Sequence, residues 1–188
     1  LAAQSTGASQ LFRSFAGNFN GLVGRGVGIA VIDSGIASHS DLRNRVLLRG
    51  PNSPWMAACW FAIVKAGGIV VVTMPLLRAK ELTDVVTKAR ISHALCDARL
   101  ADELEAARPA CPTLTTVGWF ESDRSDGVEA RAAGKPATFA DVRTAADDTV
   151  LIAFTSGTTG MPKGTMHFHR DVIAACDCWP RSTLRAVA

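Results

Sequence analysis

The sequence contains no tyrosine and no apolar run long enough to cross a bilayer. Its basic residues never form a block: 20 lysines and arginines against 17 acidic residues give a net charge of +3, spread along the chain. So small and dispersed a charge excludes a nucleic-acid partner or a membrane-surface partner as the basis of function. With 48% hydrophobic and 20% charged residues, the composition excludes a disordered chain and allows one domain with a buried core.

Cysteine usage indicates neither a disulfide framework nor a metal site. The cysteines are odd in number and lack paired metal spacing, and no charged-then-apolar leader opens the chain. We therefore expect a reduced, cytoplasmic location and no metal ligands. Cys176 and Cys178 lie two apart on a predicted helix and face different directions, which favours small apolar side chains over a metal pair. The other three are Cys59, Cys96 and Cys111.

Strand and helix patterns alternate along the chain. The clearest helix has Ser53 as its N-cap, Pro54 at its first position and Gly67 as its stop. The β-branched run 69–73 is expected of a strand covered on both faces. The fold class predicted is α/β, with a mostly parallel sheet and flanking helices. Predicted strands are 27–32, 45–48, 69–73, 93–97, 113–120 and 149–154, and predicted helices are 55–66, 77–90, 101–108 and 169–179.

Residues 121–148 interrupt this alternation. The segment is charged, has little apolar content and contains Gly127, Gly134 and Pro136. Such a composition predicts a mobile surface segment with one short element near Phe139.

The segment 152–163 carries the strongest chemical signal. It reads as a buried apolar strand that ends in a loop rich in hydroxyls and glycine and closed by one lysine. Gly157 and Gly160 allow several N–H groups to turn toward one point, which is typical of a phosphate-binding loop. It is not a Walker loop, because Pro162 precedes the lysine and Gly164 follows it. The hydroxyl donors and the cation are Thr155, Ser156, Thr158, Thr159 and Lys163.

These residues resemble the nucleotide-phosphate signature of the adenylate-forming (AMP-binding) superfamily. The similarity extends from Arg43 to about Arg185 and looks like the early part of a benzoate-type or 2-aminobenzoate-type CoA ligase. The flanking segments that narrow it to the aryl-acid branch are 44–52, 74–82 and 164–171. The resemblance implies that residues 43–188 are a truncated piece of the N-terminal domain of an acyl-CoA synthetase.

The chemistry that this resemblance implies is a two-step ligation. A carboxylate attacks the α-phosphorus of ATP to give an acyl-adenylate, and the thiol of CoA then displaces AMP to form a thioester. Thr155, Ser156, Gly157, Thr158, Thr159, Gly160 and Lys163 stand where the family binds the β and γ phosphates. ATP, Mg²⁺ and CoA are the implied cofactors, and an aryl carboxylate is the implied partner. The family's metal-holding glutamate and its later catalytic motifs are expected beyond Ala188.

Two histidines follow the loop. In the family this place lies near the acyl pocket, so His167 and His169 are candidates for a role beside the adenylate. The alternative interpretation is that they line or cap the start of a helix, since two histidines without a third ligand at metal spacing rarely bind zinc.

The first 42 residues have a different resemblance. The segment 24–42 resembles the region around the catalytic aspartate of subtilisin-like serine proteases, and Asp33 matches that aspartate. The histidine and serine segments that such a triad requires do not appear later in the chain. We interpret residues 1–42 as a subtilase-like fragment joined to the ligase-like part, with Asp33 in a turn after a strand.

Three functions remain open. The first is a fragment of an ATP-dependent aryl-acid CoA ligase that keeps the phosphate loop, binds ATP weakly and is inactive alone. The second is a subtilisin-like fragment with only the triad aspartate, and the third is a non-enzymatic chimeric domain. Apolar surface without a partner, such as the face of the 55–66 helix, predicts possible self-association.

Overall fold

A computed structural model of the chain describes residues 45–155 and 162–183. Six strands and five helices alternate through this part of the chain, and short 3₁₀ turns flank the third helix. The strands are β1 (Arg45–Arg49), β2 (Ile69–Thr73), β3 (His93–Asp97), β4 (Thr116–Phe120), β5 (Thr149–Thr155) and β6 (Lys163–Phe168). The helices are α1 (Pro54–Lys65), α2 (Ala79–Ala89), α3 (Ala101–Ala107), α4 (Val128–Ala133) and α5 (His169–Thr183).

The strands form one six-stranded sheet in the order β4-β3-β1-β2-β5-β6. The first five strands are parallel to one another, and β6 is antiparallel to β5. β1 and β2 lie at the centre, and their β-branched residues are covered on both sides, as parallel sheets require. The predicted α/β fold with a mostly parallel sheet and flanking helices is confirmed.

Alternate residues of the five parallel strands enter two separate cores. Leu47 and Val71 face α2 and α3, which bury Leu82 and Leu104 on that side of the sheet. On the opposite side, α1 and α4 pack on a second core that contains Leu48, Val70, Cys59, Ile63 and Val128. This alternation follows from the two-residue period of a strand. Helices therefore cover both faces of the sheet.

The helix α1 begins and ends where its sequence predicts. The Ser53 hydroxyl oxygen accepts a hydrogen bond from the Met56 amide at 3.1 Å, and Pro54 is the first helical residue. Gly67 follows the helix with φ +74°, and a Cβ there would lie 2.7 Å from Val142 Cγ1. Glycine is therefore needed at this position both for the backbone angle and for the close approach.

Residues 121–148 contain the largest local departure from expectation. The short element lies at α4, where Val128 and Ala132 are buried, and the backbone near Phe139 is irregular. The Val142 amide donates to the Lys65 carbonyl at 2.9 Å, so the irregular part is attached to the end of α1. The helix α4 thus forms where a few apolar residues make tertiary contacts, and the amino-acid composition of the segment does not reveal those contacts. Mobility of the segment stays a prediction.

The strand β6 is absent from the sequence-based prediction. Its residues, Lys-Gly-Thr-Met-His-Phe, lack both an alternating apolar pattern and a β-branched run. The strand forms because β5 presents a free edge with which every residue from Lys163 to Phe168 pairs.

Within the described residues, no helix is both long enough and apolar enough to span a membrane.

We expect only two of the five thiols to react with a disulfide reagent in the folded chain. Cys59, Cys96 and Cys111 are buried, and burial raises the pKa of Cys59 and of Cys96 to about 12. The thiolate is the reactive form, so these groups should label only after unfolding. Cys176 is half-buried and Cys178 is exposed on α5. Counting thiols released with and without urea tests this; a third thiol that labels as fast as Cys178 in the native chain would contradict it.

Candidate functional site

The carboxyl ends of the five parallel strands meet at one edge of the sheet. The chain leaves β1 toward the face covered by α1, whereas it leaves β2 and β3 toward the face covered by α2 and α3. Neighbouring connections that diverge in this way open a crevice at the strand ends, where open α/β sheets bind ligands. The edge residues are Arg49, Thr73, Asp97, Phe120 and Thr155.

The predicted phosphate loop connects β5 to β6 at this edge. Thr155 pairs with Lys163 in the antiparallel register, so the two ends of the loop are brought side by side. Gly164 follows immediately, and a Cβ there would meet Ile152 Cγ2 at 3.1 Å, which lets β6 return close against β5. Lys163 is exposed. The predicted donors Ser156, Gly157, Thr158, Thr159 and Gly160 lie outside the described residues, and their role stays a prediction.

A second ammonium group lies beside the end of the loop. Lys88, an exposed residue in the last turn of α2, donates to the carbonyl oxygen of Pro162 at 2.7 Å. The helix that carries it is anchored by Leu82, Val85 and Val86, each almost completely buried. Sequence reasoning missed this residue, because 74 positions separate it from Pro162 and no local pattern connects the two.

A buried arginine stabilises the neighbouring part of the edge. The Arg49 guanidinium is 1% exposed and donates to the carbonyl oxygens of Met74, Pro75 and Leu77, each at 2.9 Å. Burial lowers the pKa of this guanidinium. Its Nε finds no hydrogen-bond partner among the described residues, and neither does the hydroxyl of Thr73, its neighbour on β2. Arg49 thereby fixes the path of the chain between β2 and α2, next to the end of β5.

The start of α2 is held by a carboxylate from another helix. Glu103 of α3 accepts from the Ala79 amide at 2.8 Å and from Arg78 Nη1 at 2.7 Å. The hydrogen bond from Arg78 lowers the pKa of Glu103. A carboxylate at this position also complements the positive end of the helix dipole. The segment between β2 and α2 is therefore fixed at both ends, by Arg49 and by Glu103.

Asp97 ends β3 with a fully buried side chain. One carboxylate oxygen accepts from the Arg99 amide and from Arg99 Nε, both at 2.9 Å, and the other accepts from Nη2 at 2.5 Å. These bonds to Arg99 lower the pKa of the aspartate. Asp97 thus stabilises the turn that follows β3. The Arg99 guanidinium bound to it is 62% exposed, so this end of the sheet carries a positive charge in contact with solvent.

The two candidate histidines lie away from the loop. His167 pairs with Leu151, and His169 opens α5 with 7% exposure, its amide bonded to the Asp148 carbonyl. Six residues of nearly extended chain separate His169 from Lys163, a distance of about 20 Å along the strand. The structure thus places His169 near the amino ends of the parallel strands, whereas Lys163 lies at their carboxyl ends. A role for either histidine beside an adenylate stays a prediction.

Two further predictions concern Asp33, which matches the protease aspartate, and the ligands of a metal ion. Asp33, with the whole of residues 1–42, lies outside the described residues. Among the described residues, no group of three or more histidine, cysteine, aspartate or glutamate side chains is arranged to hold a metal ion.

An open, mostly parallel α/β sheet with a hydroxyl- and glycine-rich connection at the carboxyl ends of its strands is an arrangement that many nucleotide-binding domains share. A family model described as AMP-binding enzyme matches residues 39–187. The chain belongs to this AMP-binding enzyme family. The protease resemblance of residues 24–42 receives no support from these comparisons.

Several relatives are named as CoA ligases. The chain is 31% identical over 138 residues to the long-chain-fatty-acid–CoA ligase FadD13 of Mycobacterium tuberculosis, covering 72% of this chain and 27% of that protein. It is 28% identical over 133 residues to 3-hydroxybenzoate–CoA ligase of Aromatoleum sp. strain CIB, covering 70% of this chain and 25% of that protein. The chain thus spans about a quarter of the length of these relatives.

A solved structure shares the fold over most of the chain. The anthranilate CoA ligase AuaEII, crystallised with anthranoyl-AMP, superposes with a TM-score of 0.68 at 22% identity. The match covers 94% of this chain and 31% of that one. At this identity the likeness establishes the arrangement of strands and helices.

Proposed function

We propose that this chain provides the nucleotide-phosphate site of an ATP-dependent acid–CoA ligase of the aryl-acid type. In this reaction a carboxylate displaces pyrophosphate from ATP to give an acyl-adenylate, and the CoA thiol then displaces AMP to give the thioester. Membership of the AMP-binding enzyme family supports the general reaction. Mg²⁺ would share the charge of the phosphates, and the described residues contain no group of three or more histidine, cysteine, aspartate or glutamate side chains arranged to hold it.

The observation that carries the proposal is the pairing of Thr155 with Lys163 at the carboxyl edge of the sheet. It closes the loop at its base, and in this proposal Ser156, Thr158 and Thr159, which follow Thr155 in the sequence, bind one phosphate chain. The exposed Lys163 and the nearby Lys88 add two positive charges at the same place. The loop would orient the β and γ phosphates as the leaving group.

The acid substrate is proposed from a different observation. The relative named for 3-hydroxybenzoate and the flanking segments 44–52, 74–82 and 164–171 favour an aryl carboxylate. The relative named for long-chain fatty acids makes an alkyl carboxylate the competing outcome. Titration of the chain with non-hydrolysable 2-aminobenzoyl- and dodecanoyl-adenylate analogues separates the two. Tighter binding of the dodecanoyl compound would overturn the aryl assignment.

The division of the chain also remains a proposal. We assign residues 43–188 to a part of the N-terminal ligase domain and residues 1–42 to a separate segment. Limited proteolysis tests it: cleavage before residue 43 that leaves a product starting near that point is the expected result, and early cleavage within 43–188 but outside the predicted mobile segment 121–148 would contradict the division.

We expect ATP binding by the 188-residue chain to be weak and to depend on Lys163. An ammonium group about 4 Å from a phosphate charge gains roughly 4 kcal/mol at a protein surface before desolvation and ordering costs. A net gain of about that size corresponds to a Kd near 1 mM. Lys163→Ala should weaken binding by about 10-fold or more. Calorimetry with ATP and with pyrophosphate provides the measurement.

Lys80, an exposed lysine on α2, supplies the matched control, because Lys80→Ala removes the same charge elsewhere on the surface. Its ATP affinity should equal that of the parent chain. Equal affinities for the parent and Lys163→Ala would remove the loop as the phosphate site. We also expect no thioester from benzoate, ATP and CoA with this chain alone, and detection of the thioester would contradict that expectation.

A further inference from the structure

A lysine of α2 is bonded to the chain at one base of the predicted phosphate loop. The Lys88 ammonium donates to the Pro162 carbonyl oxygen at 2.7 Å, a distance typical of a charge-assisted hydrogen bond. Pro162 directly precedes Lys163, which begins β6 and pairs with Thr155 at the end of β5. The bond therefore holds the chain at the point where it enters β6.

The helix α2 carries this ammonium on a fixed support. On the side that faces the sheet, Leu82 and Val85 are almost completely buried in the core. The start of the helix is held from α3, where Glu103 accepts from the Ala79 amide at 2.8 Å. Lys88 lies in the last turn of the same helix. Its side chain thus extends toward Pro162 from an element that packing and a second helix hold in place.

The partner of Lys88 is not the one that its own helix offers. Asp84 lies four residues earlier, at a spacing that allows an ion pair on one helix face. In the part of the chain that the structure describes, no ion pair joins the two, and the ammonium reaches a carbonyl 74 positions away instead. A neutral carbonyl leaves the charge of the ammonium in place. The contact therefore fixes the position of the chain at Pro162.

We propose that Lys88, beyond the charge that it adds, is a positioning residue for phosphate binding. By holding Pro162 it sets the direction from which Lys163 and the preceding loop approach a bound pyrophosphate or triphosphate group. The inference rests on the proposed function, because it requires that phosphate binds at this loop. Its physical basis is preorganisation: a loop whose base is already fixed loses less conformational freedom when the ligand binds, so it binds more tightly.

Titration of the 188-residue chain with pyrophosphate, followed by calorimetry, tests the proposal. Lys88→Met keeps the unbranched stem but removes the donor, and it should weaken binding about 5-fold. Lys88→Arg restores a charged donor and should bind within about 2-fold of the parent. Lys80→Met removes an exposed lysine from the first turn of the same helix and should leave the Kd unchanged.

The Lys163→Ala variant separates failure of this inference from failure of the proposed function. If Lys163→Ala weakens pyrophosphate binding and Lys88→Met does not, the positioning role alone is wrong. If the parent and Lys163→Ala bind pyrophosphate equally, the proposed function fails and this inference fails with it. Equal weakening by Lys80→Met and Lys88→Met would show a general effect of surface charge and would also overturn the positioning role.

Two further measurements distinguish positioning from charge. Salt screens a charge that acts on the phosphate from a distance, so raising NaCl from about 50 mM to about 300 mM should leave most of the difference between Lys88→Met and the parent. A difference that disappears would show that only the charge of Lys88 acts. In NMR spectra of the ligand-free chain, the carbonyl carbon signal of Pro162 should move in Lys88→Met and return in Lys88→Arg. An unchanged signal would show that the bond is not formed in solution, and would overturn the proposal.

Discussion

Replacing Arg49 with methionine is expected to destabilise the fold by roughly 2 to 4 kcal/mol. Methionine keeps an unbranched apolar stem but removes every donor, so the carbonyls of Pro75 and Leu77 lose their bond from Arg49 and the Met74 carbonyl keeps only its bond from the Leu77 amide at 3.2 Å. A buried acceptor left without a hydrogen bond costs about 1 to 3 kcal/mol, and relief from burying the guanidinium offsets only part of the loss. Urea unfolding followed by circular dichroism gives the free energy of unfolding.

Arg131 provides the matched control for this experiment. It is an exposed arginine on α4, so Arg131→Met should change the free energy of unfolding by less than about 0.5 kcal/mol. Arg49→Lys should fall between the two, because one ammonium group cannot reproduce the planar array that reaches three carbonyls. If Arg49→Met were as stable as the parent, the three bonds would not hold the segment between β2 and α2.

Replacing Asp97 with alanine is expected to cost about 2 to 3 kcal/mol at neutral pH. The fully buried carboxylate loses its charge-assisted bonds to Arg99, and the turn after β3 loses its cap. Asp126 forms an equivalent pair with Arg124, but 66% of its side chain is exposed, so Asp126→Ala should cost less than about 0.5 kcal/mol. Equal losses in the two variants would show that burial does not strengthen the Asp97 pair.

The contribution of Asp97 should depend on pH with a definite sign. Its hydrogen bonds to Arg99 lower its pKa in the folded chain. The stabilisation is therefore complete above the ordinary aspartate pKa of about 4 and is lost as pH falls from there through the folded pKa. Unfolding measured from pH 7 downward should show the parent and Asp97→Ala converging below about pH 4. A difference that stays constant into acid would contradict this linkage.

Local sequence signals were reliable where a single segment carried all the required information. The hydroxyl of Ser53, the ring of Pro54 and the flexibility of Gly67 act within one turn of α1, and each is seen where it was predicted. The β-branched run 69–73 became β2 without change of bounds. The composition and order of the predicted phosphate loop resembled the AMP-binding superfamily, and the chain belongs to that family.

Distant partners explain what the sequence analysis missed. Arg49 is interpretable only once the carbonyls of Met74 to Leu77 are seen around it. Lys88 contacts Pro162, and β6 exists through pairing with β5. In residues 121–148, the helix forms where Val128 and Ala132 reach the sheet, which no count of charges and glycines reveals.

The sequence by itself determined the first four strands, β5 and the ends of α1, because these depend on propensities and caps within a few residues. Tertiary structure alone decided that β6 pairs with β5, that Arg49 holds the segment after β2, and that His169 lies near the amino ends of the parallel strands whereas Lys163 lies at their carboxyl ends. The physical reason is that hydrogen-bond partners and burial arise from chain segments far apart in sequence, whose meeting is set by the order of strands in the sheet.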